Sequence, residues 1–281
     1  MNNEVIQIIG VSKSFGDVRV LRDINLRIRE GEFVVIAGEN GSGKTTLLKV
    51  MTGLLIPDEG KVRVLGFDVS KDWKKLSKYI GVALANERTL YWKLTGLENL
   101  EIFAGLYGVK KGKRKALEIL EKLNLVHVKD KLVEEYSSGM RRKLLLAKAT
   151  IHNPPKILFL DEILNGLDPK SYLKIIEFLE ELNQNGITIV LISHALHDLP
   201  PPKARLIVMK DGRIVLDDKL SKFKLDESIK IKATINGKEV ERIVSREELN
   251  ETLMELTESG AENVQIERDD LYSILRRILD G

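Results

Sequence analysis

The 281-residue sequence predicts an α/β fold built on a mostly parallel sheet, with a small α+β module at the carboxyl end. Residues 157–160 and 187–192 are continuous apolar runs of strand length, as found in strands that are buried on both faces. Helical segments separate such runs along the chain, which is typical of parallel sheets. Toward the carboxyl end, Asn236-Gly237 joins two alternating segments and indicates a β-hairpin. We therefore expect one domain at residues 1–225 and a second at 226–281.

Two segments near the amino end, 5–9 and 24–28, alternate apolar and polar residues as strands with one solvated face do. The turn between them, Ser14-Phe15-Gly16-Asp17, carries an aromatic ring that we expect to be exposed. Phe15 either packs onto the core or stacks against an adenine base, and its position alone favours packing. Further strands are predicted at 60–66 and 80–84.

A mostly helical block is expected at about residues 88–153. Thr95-Gly96-Leu97-Glu98 is a capping box that opens a helix, and Gly108 suits the end of that helix. Ser137-Ser138-Gly139 then precedes a strongly basic helix at 140–151.

The composition limits where this protein works and what it binds. The absence of cysteine excludes disulfides and thiolate chemistry, which fits a cytoplasmic protein. No apolar run approaches the ~18 residues that a transmembrane helix needs, so work at a membrane would require another chain to cross it. The net charge of +3 combines an acidic tail at 226–281 with a basic remainder. Since no basic stripe is interleaved with aromatic residues, we treat this excess as solvated surface and expect no nucleic-acid partner.

A phosphate-binding loop is the most informative motif in the chain. Gly38-Glu39-Asn40-Gly41-Ser42-Gly43-Lys44-Thr45 matches the pattern G-x-x-x-x-G-K-T. An apolar run precedes it as a buried strand would, and a segment that begins at Thr46 follows it without glycine or proline, as a helix would. The glycines let backbone N–H groups turn inward around an anion at the positive end of the helix. We expect Lys44 to reach the β- and γ-phosphates, the Thr45 hydroxyl to ligate Mg²⁺ and Thr46 to join the nucleotide contacts.

Polar residues follow two of the predicted strands. Asp161-Glu162 ends one apolar run, and Ser193-His194 ends the next. Because the carboxyl ends of parallel strands share a crevice, these side chains are expected close together. Asp161 would hold Mg²⁺, directly or through water, and Glu162 would polarise the attacking water as general base. His194 would bond the γ-phosphate and orient that water, although acidic pairs and histidines also end strands without any function.

These motifs, in this order, resemble the ABC-type ATPase subunits over roughly residues 5–217. Tyr136-Ser137-Ser138-Gly139-Met140 stands where that family has its signature L-S-G-G-Q. Asn165-Gly166-Leu167-Asp168 resembles the D-loop, His194 the switch histidine, and Phe15 the aromatic residue that stacks on adenine.

The resemblance implies a P-loop ATPase core with an antiparallel β subdomain and a helical subdomain, using ATP and Mg²⁺. It also implies a head-to-tail dimer, most simply a homodimer. Each ATP then lies between residues 38–45 of one subunit and Ser137-Ser138-Gly139 of the other, with Asp168 nearby. Lys44, Glu162 and His194 are the implied catalytic residues.

The chain departs from the family pattern at several positions. The usual glutamine is replaced by Asn86, with Glu87 beside it, and asparagine is a shorter Mg²⁺ ligand. Tyr136 and Ser138 are signature variations that resemble the export-type branch. Pro200-Pro201-Pro202 interrupts what is normally a helix.

The predicted tail, a hairpin followed by a capped helix and a closing amphipathic segment, resembles the carboxyl module of ATPase subunits from ABC-2-type exporters. A generic packing or dimerisation module is the alternative. The resemblance implies a cytoplasmic ATPase subunit, peripheral on the inner face of the cell membrane, that drives a separate ABC-2-type permease. Tyr91 and Trp92 either receive that permease near Asn86 or pack inside the helical block. The rival function is a soluble regulatory ABC ATPase acting on nucleic acid or ribosomes, which the single phosphate loop and the lack of a basic insertion disfavour.

Overall fold

The computed structural model describes residues 3–84, 89–152, 155–164, 167–193, 203–222, 229–235, 238–244, 248, 252, 255–256 and 259–268. They fall into two compact units, one that ends at Leu220 and one that begins at Ser221. The boundary expected from composition lies at residues 225–226, outside the described residues, and stays a prediction.

A six-stranded sheet forms the centre of the first unit, in the order β10-β9-β3-β8-β7-β6. Its strands are β3 (Phe33–Gly38), β6 (Ile80–Leu84), β7 (Ile157–Asp161), β8 (Thr188–Ile192), β9 (Arg205–Lys210) and β10 (Arg213–Lys219). Only β10 runs antiparallel to its neighbour. Every residue of β3, β7 and β8 is buried, as their continuous apolar sequences predict. The predicted α/β class is confirmed.

A second, antiparallel sheet lies at the amino end of this unit, in the order β2-β1-β4-β5. Its strands are β1 (Glu4–Phe15), β2 (Val18–Arg29), β4 (Glu59–Val64) and β5 (Phe67–Asp68). β1 and β2 extend well beyond the short segments that alternate in the sequence, because hairpin pairing also supports their polar ends. One core joins both sheets with α1 (Lys44–Met51), through contacts among residues such as Ile8, Leu48 and Phe159.

The remaining helices of this unit are α2 (Trp73–Leu76), α3 (Gly96–Leu106), α4 (Gly112–Lys122), α5 (Ser138–Thr150) and α6 (Pro169–Gln184). The predicted capping box of α3 is present: the Glu98 N–H donates to Thr95 Oγ1 at 3.2 Å, and the Thr95 N–H donates to Glu98 Oε2 at 2.8 Å. α5 begins two residues before the predicted start, since Ser137 is its N-cap. None of the helices within the described ranges has both the length and the hydrophobicity to cross a bilayer.

The second unit contains an antiparallel sheet in the order β12-β11-β13. Its strands are β11 (Ile229–Ile235), β12 (Lys238–Val244) and β13 (Glu262–Arg268). Ile231, Ala233 and Leu256 form a small core of their own. The predicted hairpin strands are thus confirmed, whereas the turn Asn236-Gly237 and the closing segment after residue 268 lie outside the described residues.

Candidate nucleotide-binding site

The phosphate loop connects the last residue of β3, Gly38, to the first residue of α1, Lys44. Gly38, Gly41 and Gly43 have φ angles of 147°, 83° and 100°, which residues other than glycine rarely adopt. A Cβ on Gly38 would also lie 2.2 Å from the carbonyl oxygen of Met209 in β9. The loop therefore depends on glycine for both its conformation and its space.

Lys44 is buried beneath the loop, with only 5% of its surface exposed. Its ammonium donates to the carbonyl oxygens of Gly38 at 2.8 Å and Glu39 at 2.7 Å. Burial lowers the pKa of this ammonium, while the carboxylates of Glu162, Asp161 and Glu39 oppose the shift. A cation held this way can exchange carbonyl oxygens for phosphate oxygens without leaving the loop.

Ser42 supplies a second sign that the loop fits a ligand. Its Oγ is buried and has no hydrogen-bond partner within the described part of the chain. An unsatisfied buried hydroxyl is costly, and a bound phosphate oxygen would satisfy it. The Asn40 and Gly41 side of the loop is exposed, so an anion can reach it. Thr46, in the first turn of α1, is half-buried.

The first carboxylate lies against the foot of this loop. Thr45 Oγ1 donates to Asp161 Oδ1 at 3.2 Å, and Asp161 is only 6% exposed. Burial raises the pKa of the Asp161 carboxyl, the Thr45 hydrogen bond opposes the shift, and the neighbouring Glu162 adds to it. A buried carboxylate beside a hydroxyl is the oxygen donor set that Mg²⁺ prefers, and a bound cation would relieve the cost of burying this charge. These residues fit the metal.

Glu162 follows at the mouth of β7 in an unusual backbone conformation. Its φ is 54°, a left-handed value that non-glycine residues seldom adopt. Its N–H donates to the carbonyl oxygen of Ile192, the last residue of β8, at 3.1 Å. The Ser193 N–H in turn donates to the carbonyl oxygen of Ile36 in β3 at 3.2 Å. The carboxyl ends of three strands thus meet beside the phosphate loop, and left-handed outliers of this kind concentrate at functional sites.

Phe15 lies at the tip of the β1–β2 hairpin with 51% of its surface exposed. Its strand partner is Val18. Two residues later, the Val20 carbonyl oxygen lies 2.9 Å from where a Cβ on Gly43 would be, so the hairpin borders the phosphate loop. The ring is half-exposed at the tip of this hairpin and is not packed into the core, in contrast to the interpretation that its position alone favoured.

The signature segment occupies the start of α5. Ser137 Oγ accepts the Met140 N–H at 3.2 Å, and both Ser137 and Ser138 are exposed. Tyr136 is buried and donates its hydroxyl proton to the Val128 carbonyl oxygen at 2.8 Å, which explains how tyrosine serves in place of leucine. Burial raises the pKa of Tyr136 to about 12. The exposed amino end of α5 is therefore preceded directly by a buried, hydrogen-bonded residue.

Asp168 caps α6, since its Oδ1 accepts the Ser171 N–H at 2.9 Å. Hydrogen bonds from the side chain and then the backbone of Ser171 lower the pKa of the Asp168 carboxyl, and the charge of Lys143 adds to the effect. The side chain of the preceding Leu167 lies 3.4 Å from where a Cβ on Gly139 would be. The structure thus brings the signature segment and the end of the D-loop together, in one cleft that Ser137 and Asp168 both line.

Several predicted site residues lie outside the described residues, namely Asn86, Glu87, Asn165, Gly166 and His194, together with Pro200-Pro201-Pro202. Their roles stay predictions. Conversely, two supports of the loop were not predicted from the sequence: Met209, whose carbonyl oxygen packs on Gly38, and Gly212, whose N–H donates to the Ser42 carbonyl oxygen at 3.2 Å. The apolar run before Met209 and the turn dipeptide Asp211-Gly212 were signals for this hairpin.

Comparison with known proteins agrees with this geometry. A protein-family model described as "ABC transporter" matches residues 21–165. The chain is 34% identical over 228 residues to daunorubicin resistance ATP-binding protein DrrA3 of Streptomyces coeruleorubidus, covering 80% of this chain and 72% of that protein. It is 35% identical over 217 residues to ABC transporter ATP-binding protein NatA of Bacillus subtilis, covering 75% and 88%. A dimeric ATP-binding cassette in a post-hydrolysis state with ADP and Pi superposes with a TM-score of 0.69, at 29% identity over 76% of this chain and 98% of that one.

Proposed function

The chain belongs to the ATP-binding subunits of ABC transporters, which hydrolyse ATP, and we propose that two copies of it drive a separate ABC-2-type export permease. The observation that carries the proposal is the arrangement of Thr45, Asp161 and Glu162 at the foot of the phosphate loop. Export is supported by the names of relatives: daunorubicin resistance protein DrrA3, bacitracin transport protein BcrA of Enterococcus faecalis, and Nod factor export protein I of Rhizobium. No comparable observation favours a regulatory ATPase that acts on nucleic acid or ribosomes.

In the proposed mechanism the phosphate loop binds the phosphates, and residues that follow β7 and β8 activate the attacking water. The inward N–H groups, Lys44 and Ser42 bind the β- and γ-phosphates. Thr45 and Asp161 would hold Mg²⁺, and the ion would neutralise negative charge on the phosphate oxygens. Glu162 accepts a proton from the water that attacks the γ-phosphate, and His194 orients that water. The bond between the γ-phosphorus and the β–γ bridging oxygen breaks, so the products are ADP and inorganic phosphate. Asn86 would supply a further oxygen donor to the metal.

The dimer supplies the other half of each site. The exposed start of α5 presents backbone N–H groups that have no intrahelical partner, at the positive end of the helix. From a second copy these groups, together with Ser137 and Gly139, would contact the γ-phosphate on the side opposite the loop. Solved cassettes that are dimeric support this arrangement. ATP binding would close the dimer and hydrolysis would reopen it, which is how the permease is driven.

The permease contact is proposed at the surface around Tyr91 and Trp92, which are 48% and 41% exposed. Tyr91 stacks on Phe103 at 5.8 Å between ring centroids, and the Arg141 guanidinium lies 5.2 Å from the Trp92 ring centroid. Half-exposed rings held in fixed positions are typical anchors of protein interfaces. The protein would then lie on the cytoplasmic face of the membrane, attached through the permease.

The test is to purify tagged Glu162→Gln protein with ATP from detergent-solubilised membranes. Loss of the general base should lower the ATPase rate by about 10²–10⁴-fold while ATP still binds, so the closed dimer accumulates with its permease. We expect a multi-span membrane protein in roughly equal amount. Glu118→Gln, which alters an exposed carboxylate paired with Arg114, is the matched control and should behave as wild type. Near wild-type turnover would refute the role of Glu162, and recovery in the soluble fraction alone would refute the transporter assignment.

A further inference from the structure

Asp58 contacts both residues that immediately precede Phe15 in β1, Lys13 and Ser14. Its Oδ1 lies 2.6 Å from the Lys13 ammonium, and its Oδ2 accepts the Ser14 N–H at 2.7 Å. Both carboxylate oxygens are therefore used on two consecutive residues of β1. These two hydrogen bonds lower the pKa of the Asp58 carboxyl, so it stays ionised to a lower pH than a free aspartate does.

Lys13 in turn contacts the ring itself. Residues two apart in a strand point to the same face, and the Lys13 ammonium lies 5.8 Å from the centroid of the Phe15 ring. A cation at that distance from a ring is attracted by its electron-rich face. The Lys13 side chain is only 16% exposed although the ring is 51% exposed, so the cation is the better-held partner.

The hairpin tip extends beyond the last residue of β1 that pairs with β4, so β4 gives it no backbone support. β1 pairs with β4 only as far as Ser12, opposite Glu59, and the register between β1 and β2 is irregular at Lys13 and Ser14. Asp58 is itself anchored, since its N–H donates to the Ser12 carbonyl oxygen at 2.9 Å. The Asp58 carboxylate thus extends the connection to β4 past the last backbone pair.

We propose that Lys13 and Asp58 are positioning residues that hold the Phe15 ring for the nucleotide base, and so set affinity for the base and not for the phosphates. This inference rests on the proposed ATPase function and on the adenine-stacking role that the family resemblance implies for Phe15. The pair does not touch the phosphate loop in any contact described above, so its effect passes through the ring.

A second ion pair on the same hairpin provides a matched control. Arg19 lies across from Ser14 in β2, pairs with Glu59 at 2.9 Å and donates to Ser12 Oγ at 2.7 Å. It links the same hairpin to the same strand as Lys13–Asp58 does. Neither of its members is placed over Phe15, so removing this pair tests general loosening of the hairpin without removing the cation.

The test is equilibrium binding of ATP and of inorganic tripolyphosphate, by calorimetry, to the full-length protein with Mg²⁺. Lys13→Met and Asp58→Asn should each weaken ATP about two- to fivefold, the range for a single ion pair at the surface, and leave tripolyphosphate unchanged. Lys13→Arg keeps a cation and should restore ATP affinity. In a Phe15→Ala background, Lys13→Met should have no further effect. Arg19→Met and Glu59→Gln should change neither ligand.

Other outcomes overturn the inference in distinguishable ways. Equal losses for ATP and tripolyphosphate, a loss that persists without the Phe15 ring, or the same loss in Arg19→Met would each show a general structural role. Unchanged ATP affinity in Lys13→Met, with Phe15→Ala weakened, refutes the positioning role alone. If Phe15→Ala itself binds ATP as wild type does, then the adenine-stacking role expected of Phe15 fails, whatever the ion pair does.

Discussion

The phosphate end of the candidate site, residues 38–45, and its proposed base end, Phe15 with Lys13 and Asp58, are held in place by different kinds of interaction. The phosphate end consists of glycines with positive φ angles, a buried lysine and the adjacent backbone of β9. A larger side chain at Gly38 would clash there, and Lys44 is almost fully buried. At the base end, a half-exposed ring is held by side chains whose partners are partly solvated. Backbone conformation specifies the first region, and weak side-chain contacts adjust the second.

This difference sets the scale of expected effects. Truncating a buried, hydrogen-bonded charge costs about 2–5 kcal/mol, whereas an exposed ion pair is worth about 0.2–1 kcal/mol. The phosphate end should therefore respond to single substitutions by losing its function. The base end should respond in small steps, which makes it the place where nucleotide affinity can be tuned.

Lys44→Ala is expected to have the largest effect on binding. The variant removes the only side-chain cation that the structure places inside the phosphate loop, among the described residues, so ATP affinity should fall by about 30-fold or more. Calorimetry with Mg-ATP measures the change. Lys75→Ala, which removes an exposed lysine paired with Asp72, is the control. Unchanged ATP binding in Lys44→Ala would contradict the interpretation of the loop.

Gly38→Ala should destabilise the fold itself. Its new Cβ would meet the Met209 carbonyl oxygen at 2.2 Å, in addition to the strain of a φ of 147°. We expect a loss of about 2 kcal/mol or more in the free energy of unfolding, measured by urea denaturation. Gly41→Ala is the matched control in the same loop, because its φ is 83° but nothing lies within 4 Å of the added Cβ. Equal losses in both variants would show that space around Gly38 does not matter.

Lys148→Met tests how a half-buried charge, intermediate between the buried Lys44 and an exposed ion pair, affects stability. The Lys148 ammonium lies 4.2 Å from the Phe103 ring centroid and donates to the Thr89 carbonyl oxygen at 3.1 Å, and burial lowers its pKa to about 8. Because the pKa is higher in the unfolded chain, the unfolded state binds more protons between about pH 8 and 10.4. Wild type should therefore gain stability relative to Lys148→Met as the pH rises through this window. If the difference in free energy of unfolding between the two proteins is the same at pH 7 and pH 10, the lowered pKa of Lys148 is contradicted.

Some secondary-structure elements could be predicted from the sequence and others could not, for identifiable reasons. The strands β3, β7 and β8 and the capping box at Thr95 were predicted correctly because each depends on residues close together in the chain. The hairpin β9–β10 was missed although its apolar run was visible. Its importance comes from sheet order, which places Met209 against Gly38 across a sequence separation of 171 residues.

The sequence by itself determined the class of fold, the family and the ATPase chemistry, because glycine-specific loops, capping residues and buried strands are local patterns with local physical causes. The tertiary structure decided how the phosphate loop is supported and where the Phe15 ring lies. Those features depend on which distant strands become neighbours, and on single side chains such as Asp58 whose partners no local spacing reveals. Short-range conformational preference can be inferred along a chain, whereas a long-range contact exists only once the chain has folded.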